Sequence, residues 1–168
     1  DAGWVALAEF PGIGVMVAFD FTRNRGRAGR LVDKAVGFHE QAMAALVDGR
    51  TSPAIDLAFS ACELAVAALM SLLSLDEQRG GRRNRHGRRS SWFAQWTRLG
   101  NSPREFHLLL TRLAELRPPA RYGDTDPVLA EDVAVLLGEV DALLTHARER
   151  VGGALPDVPG LQAFAVGG

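Results

Sequence analysis

Six arginines crowd one short stretch of the chain, Arg79, Arg82, Arg83, Arg85, Arg88 and Arg89, with His86 in their midst. Set against Asp76 and Glu77, they give residues 76–90 a local charge of +4, although the whole chain carries −1. Guanidinium groups grip phosphate bidentately, and Trp92 and Trp96 just downstream offer faces on which bases can stack. The segment therefore has the residue types of an RNA or phosphate grip. The plain alternative is a solvated basic loop. Gly80, Gly81 and Gly87 interrupt the run and point to a loop ahead of a short helix, and a chain with eighteen arginines and one lysine uses arginine throughout.

A second group of ionisable residues is spread more thinly. Asp56 and Glu63 are seven residues apart in an otherwise apolar segment, which places them two helical turns apart on nearly one face. A carboxylate buried there needs a partner. Arg117 and Arg121, with Tyr122 beside them, lie ahead of the last apolar segment. Tyr122 could hydrogen-bond a phosphate or stack on a base, or it could wedge a corner between helices with its hydroxyl satisfied locally. His39, His107 and His146 sit singly, with no H-x-x-x-H or C-x-x-C spacing, so the residues offer no metal site. The glycines match neither a dinucleotide-binding nor a Walker loop, and no cofactor is expected. Ser90 and Ser91 read as helix caps, not as nucleophiles.

Helices must position these groups. Leu31, Ala35, Phe38, Ala42, Ala45 and Leu46 recur at three and four residues, and Gly49 supplies a stop. Ser52 as cap and Pro53 at the first position open a second helix that runs to about Leu75 and is apolar over most of its circumference, the signature of a central helix. Ser91–Leu99 reads as a short helix. Ser102-Pro103-Arg104-Glu105 has the form of a capping box, with Pro118-Pro119 ending the helix it starts. Asp126-Pro127 caps the last helix, which carries Val128 to Ala147 and ends at Gly152-Gly153. Before all of these, Ile13, Val15, Val17, Phe19 and Phe21 alternate with Gly14, Met16, Ala18 and Asp20 at the period of a strand, and Pro11-Gly12 suits a turn.

The expected architecture is all-α: an antiparallel up-and-down bundle of four to five helices over 28–150, with a β-hairpin-like extension over 1–27 and a loosely docked tail over 151–168. A length of 168 residues and an apolar share of 47% suffice for one continuous core. The longest apolar stretch, Trp4 to Phe19, is broken by Glu9, Pro11, Gly12 and Gly14, so it reads neither as a signal peptide nor as a membrane span. Cys62, the single cysteine, cannot form an internal disulfide and reads as a buried thiol in a reducing, cytoplasmic setting.

Within this pattern, Ala35–Phe38–Ala42–Ala45–Leu46, the Gly49-Arg50 corner, Ala54-Ile55-Asp56-Leu57-Ala58, Ala61-Cys62-Glu63-Leu64-Ala65 and Ala68-Leu69 resemble the paired opening helices of HEPN domains, helical bundles associated with nucleotides and RNA. Leu116-Arg117-Pro118-Pro119-Ala120-Arg121-Tyr122-Gly123-Asp124 is similar to that family's junction before the final helix. The likeness covers roughly residues 28 to 150. It implies homodimerisation and, in many members, a metal-independent endoribonuclease whose signature is an arginine, four to six residues, then a histidine. Histidine would exchange a proton near neutral pH while arginine stabilises the charged phosphorane. Here four residues follow Arg117 and the next is Tyr122, a phenol with a pKa of roughly 10 that shuttles protons poorly at pH 7. The family's frequent lysine after E-L-A is also absent, with Val66 and Ala67 in that region.

The resemblance places Glu63 beside the arginine motif, paired with Arg117 or Arg121; the alternative is a structural ion pair that fixes helix packing. Three functions follow as expectations. The first is a non-catalytic HEPN-like module that binds RNA, a nucleotide phosphate or a protein partner as a homodimer, through Arg117, Arg121, Tyr122, Glu63, Arg82, Arg83, Arg85 and His86. The second is a ribonuclease of toxin or defence type in which His86 replaces the missing histidine beside Arg117 and Tyr122. The third is a structural scaffold that recruits another chain through its hairpin, with no membrane involved.

Overall fold

Small side chains decide how the first two helices meet. Helix α1 (Arg25–Val47) buries Ala28, Val32, Ala35, Ala42 and Ala45, while α2 (Thr51–Leu72) buries Ala54, Ala58, Ala61, Ala65 and Ala68 among larger neighbours. Alanine stripes let two backbones approach closely, and these helices touch along their whole length. The corner between them is tight because Gly49 adopts a left-handed φ of 73°, open to glycine at little cost. The computed structural model describes residues 4–10, 14–20, 24–72, 85–124, 128–152 and 162–165.

Three further helices complete an all-helical core: α3 (Arg85–Arg98), α4 (Arg104–Tyr122) and α5 (Ala130–Gly152). Contacts set their directions. Arg25 Nη1 donates to the carbonyl of Gly152 at 3.2 Å, so the end of α5 lies by the start of α1. Arg117 meets Asp56, which brings the end of α4 to the first turns of α2. The long helices α1, α2, α4 and α5 therefore alternate in direction, with α3 laid against α4 and α2. Helix α2 is central and touches all the others. It is long and apolar enough to cross a bilayer, but 78% of its most apolar window is buried among its neighbours, so the protein's own core takes the place of lipid.

Phe93, Leu113, Val133, Leu136, Leu137, Val140, Leu143 and Leu144 fill the space around α2. Each such side chain contributes about 1.5–3 kcal/mol by leaving water. Cys62 is fully buried, and burial, with Glu63 and Glu139 adding to it, pushes its thiol pKa up and keeps it unreactive.

Several boundaries differ from the sequence reading, each for a physical reason. Helix α2 starts at Thr51, before the expected Ser52 cap. Ser102 does not cap α4: Pro103 takes that position with no side-chain hydrogen bond, while Ser102 Oγ pairs with His146 Nε2 at 3.2 Å. Ser90 and Ser91 lie inside α3, which begins at Arg85. Pro118 and Pro119 do not end α4, which continues to Tyr122, because Leu116 and Ala120 pack on the core and Gly123 N–H closes the last turn on the Pro119 carbonyl at 2.8 Å. Val128 and Leu129 precede α5 instead of belonging to it; Asp126-Pro127 and the Pro11-Gly12 turn lie outside the described residues.

Strand β1 (Trp4–Phe10) pairs antiparallel with β2 (Gly14–Asp20), from Trp4 opposite Asp20 to Phe10 opposite Gly14. Strand β3 (Gln162–Ala165) pairs antiparallel with the other edge of β1, giving the order β2-β1-β3. The two ends of the chain thus share one small sheet.

Candidate functional site

The two charged residues of α2, Asp56 and Glu63, serve one junction. Asp56, Phe59 and Glu63 recur at three and four residues, so they line a single stripe, and that stripe faces the end of α4 and the start of α3. Arg117 Nε donates to Asp56 Oδ1 at 2.7 Å, and Arg121 Nη2 stands 3.6 Å from Asp56 Oδ2. Two turns further along, Glu63 takes a hydrogen bond from His86 Nδ1 through Oε1 and has Arg89 Nη1 3.8 Å from Oε2. Phe59 lies between the two clusters: the Arg117 guanidinium sits 4.6 Å above its ring centre, and the His86 ring is 6.0 Å away. One aromatic face thereby connects the arginine cluster to the histidine.

Burial grades across this junction. Glu63 is only 7% exposed and Arg89 is largely enclosed, whereas His86 opens its ring to solvent and Arg121 is half-exposed. Glu63 and Arg89 form the floor, Asp56 and Arg117 lie at similar intermediate depth, and His86 and Arg121 reach the mouth. Three arginines face two carboxylates, so the site keeps a positive excess before any charge on His86 is counted. An arginine carries five N–H donors, and Asp56 takes only the Nε–H of Arg117, which leaves its terminal nitrogens to a ligand oxygen. His86, anchored through Nδ1, presents Nε2 outward.

The sequence pairing of Glu63 with Arg117 or Arg121 is corrected. Asp56 holds both arginines, and Glu63 holds His86 and Arg89. The reason is reach: the end of α4 lies beside the first turns of α2, while the start of α3 lies two turns on. His86 is also not in a loop, since it occupies the first turn of α3. Tyr122 stays apart: at 80% exposed it projects from the end of α4, and it neither wedges a corner nor joins the cluster. Of the arginine-rich segment, Arg79, Arg82 and Arg83 lie outside the described residues; Arg85 opens α3, Arg88 is exposed and Arg89 enters the site. Sequence reasoning missed Phe59 and the partner role of Asp56. Their signal was available in the Asp56–Phe59–Glu63 spacing.

The other histidines have different surroundings. Burial lowers the pKa of His39, His107 and His146, with Arg104 adding to the effect at His107 and Arg150 at His146. Asp141, 4.0 Å from His39, partly offsets its burial. Among the described residues no group of three or more histidine, cysteine, aspartate or glutamate side chains is placed to share a metal ion. Compared with known proteins, the chain matches no family model and no curated protein.

Proposed function

We propose that the chain is a HEPN-like helical module that binds the phosphate of RNA or of a nucleotide at the α2–α3–α4 junction. The observation that carries this reading is the convergence of Arg117, Arg121, Arg89 and His86 on two carboxylates, Asp56 and Glu63, with Phe59 between them. Anchoring on Asp56 and Glu63 fixes the cations in place, so less side-chain entropy is lost when an anion arrives. The exposed ring of His86 offers a surface to a base, and buried Phe59 braces Arg117 and His86 from below. Fluorescein-labelled single-stranded RNA should bind at micromolar protein with an affinity that falls as salt rises, by a log–log slope of about 0.7 per phosphate contacted. Absence of salt-sensitive binding would refute the reading. The resemblance further implies a cytoplasmic homodimer, for which light scattering should give twice the mass of 18.1 kDa.

One observation favours a second reading, a metal-independent endoribonuclease. His86 is held by a buried carboxylate in the first turn of a helix, an arrangement that fixes the imidazole's tautomer and orientation. In that reaction His86 Nε2 would take the proton of the attacking 2′-hydroxyl as its oxygen bonds to phosphorus. The bond from phosphorus to the 5′-oxygen would break with that oxygen taking a proton from the imidazolium or from water, and Arg117 would stabilise the charge that develops on the non-bridging phosphoryl oxygens. Cleavage of RNA in EDTA, lost in both His86→Ala and Arg117→Ala, is the expected result. Cleavage that survives both substitutions would trace to a contaminant, and no cleavage by the unaltered protein would leave the binding module alone.

A further inference from the structure

A second set of cations lies at the other end of the α3–α4 pair, and among the described residues no carboxylate is paired with it. Arg98, near the end of α3, and Arg104, the first residue of α4, line a cavity of about 550 Å³ with Ala94, Thr97 and His107. That volume is in the range of small-ligand sites. Neither arginine has an ion pair or side-chain hydrogen bond among the described residues, in contrast to Arg117 and Arg121, which share Asp56. Burial, with the nearby Arg104 guanidinium adding to it, disfavours a proton on His107, so the cavity's positive charge resides on the two arginines. The positive end of the α4 dipole, whose cap Pro103 supplies no side-chain acceptor, adds to it.

We propose that this cavity is a second phosphate site, and that the ligand is accordingly a strand of RNA several nucleotides long, not a mononucleotide. The inference rests on the phosphate-binding reading of the α2–α3–α4 junction. Geometry joins the two sites. The short corner at Gly100, with a φ of 78°, folds α3 back on α4, so the start of α3 lies toward the end of α4. Thirteen residues separate Arg104 from Arg117, about 20 Å along a helix. His107, Ala114 and Arg121 recur at seven residues and hence share one stripe of α4 that runs from the cavity to the junction, with Arg104 and Arg117 flanking it on either side. At about 3.4 Å per stacked nucleotide, 20 Å corresponds to about six nucleotides, and fewer if the strand is stretched. A mononucleotide can occupy one site; only a strand occupies both.

The test is the length dependence of binding, measured by anisotropy with a labelled RNA octamer and a labelled dinucleotide. The octamer should bind at least about tenfold tighter than the dinucleotide. The double variant Arg98→Gln/Arg104→Gln should lose about tenfold or more on the octamer. Its salt slope should fall by about 1.4, while its dinucleotide affinity should fall by no more than about twofold, because the α2–α3–α4 junction still holds that ligand. Arg117→Gln should weaken both RNAs. Arg98 and Arg104 are exposed, and an unchanged circular-dichroism melt of the double variant would exclude misfolding as the cause. Equal affinity for the two lengths, or a double variant that binds the octamer as the unaltered protein does, would overturn the second site and leave the first intact. Failure of both RNAs to bind at all would remove the phosphate-binding reading and this inference with it.

Discussion

Helix α2 meets its neighbours in two contrasting ways. Over most of its surface it presents alanine, valine, leucine and Cys62 to the other helices, and those side chains are buried. Along one stripe it presents Asp56, Phe59 and Glu63, and the side chains that answer them are cations with donors to spare. Packing in the first region gives stability because it excludes water over a large apolar area. The second region excludes water only at its floor and holds charges in position at its mouth. The contrast separates two kinds of substitution: damage to the apolar surface should lower stability with binding preserved in the folded molecules, whereas damage to the stripe should lower binding even in molecules that remain folded.

The largest expected effect lies in the packed region. Leu143→Ala removes a side chain with no exposed surface and should cost about 2–5 kcal/mol in urea denaturation. RNA affinity per folded molecule should hold. A variant that stays fully folded yet loses RNA would break the distinction. Next comes Glu63→Ala, which deletes the acceptor shared by His86 and Arg89 and should cost about 1–3 kcal/mol, together with a loss of RNA affinity. Glu63→Met, which keeps the volume, should restore little of that affinity, so recovery by methionine would show that Glu63 only fills space.

How much of this was written in the sequence depends on whether a feature is local or tertiary. Helices α1 and α2 and the Gly49 corner were legible because a three-and-four spacing and a glycine stop are local signals. The extent of α4 was not. Pro118 and Pro119 each lack an N–H and ordinarily end a helix, but burial of Leu116 and Ala120 and the hold of Asp56 on Arg117 and Arg121 carry the chain one turn further. Arg117 and His86 were recognisable as candidates by residue type. Their partners were not, since Asp56 and Glu63 differ by two turns of one helix, and only the placement of α3 and α4 decides which cation reaches which carboxylate. Tyr122 shows the opposite error: motif spacing drew attention to a side chain that tertiary structure leaves in solvent.

A smaller effect should appear with pH. His39, His107 and His146 have folded-state pKa values below the ordinary 6.5, chiefly because burial disfavours their charged forms. Below pH 6.5 the unfolded chain therefore binds more protons than the folded one. Their contribution is complete above 6.5 and is lost as pH falls from there through the folded values. Urea midpoints should drop between pH 7.5 and 5, and His146→Gln should flatten part of that slope; an unchanged slope would show that the helix contacts of His146 do not depend on its neutral form. The smallest effect belongs to Tyr122→Phe, which should shift stability by less than about 0.5 kcal/mol and leave RNA binding as it was. A loss of binding there would return the tyrosine to the site.

The account turns on whether a phosphate reaches the arginines held by Asp56. The most direct measurement is a ¹⁵N-edited NMR titration that follows the Arg117 side-chain Nε–Hε resonance, which the bond to Asp56 should keep sharp, as the RNA octamer is added. A saturable shift of that resonance, in step with binding read by anisotropy and absent from Arg117→Gln, is the predicted result. An Arg117 resonance that stays fixed while the octamer binds would place the RNA elsewhere and contradict the account.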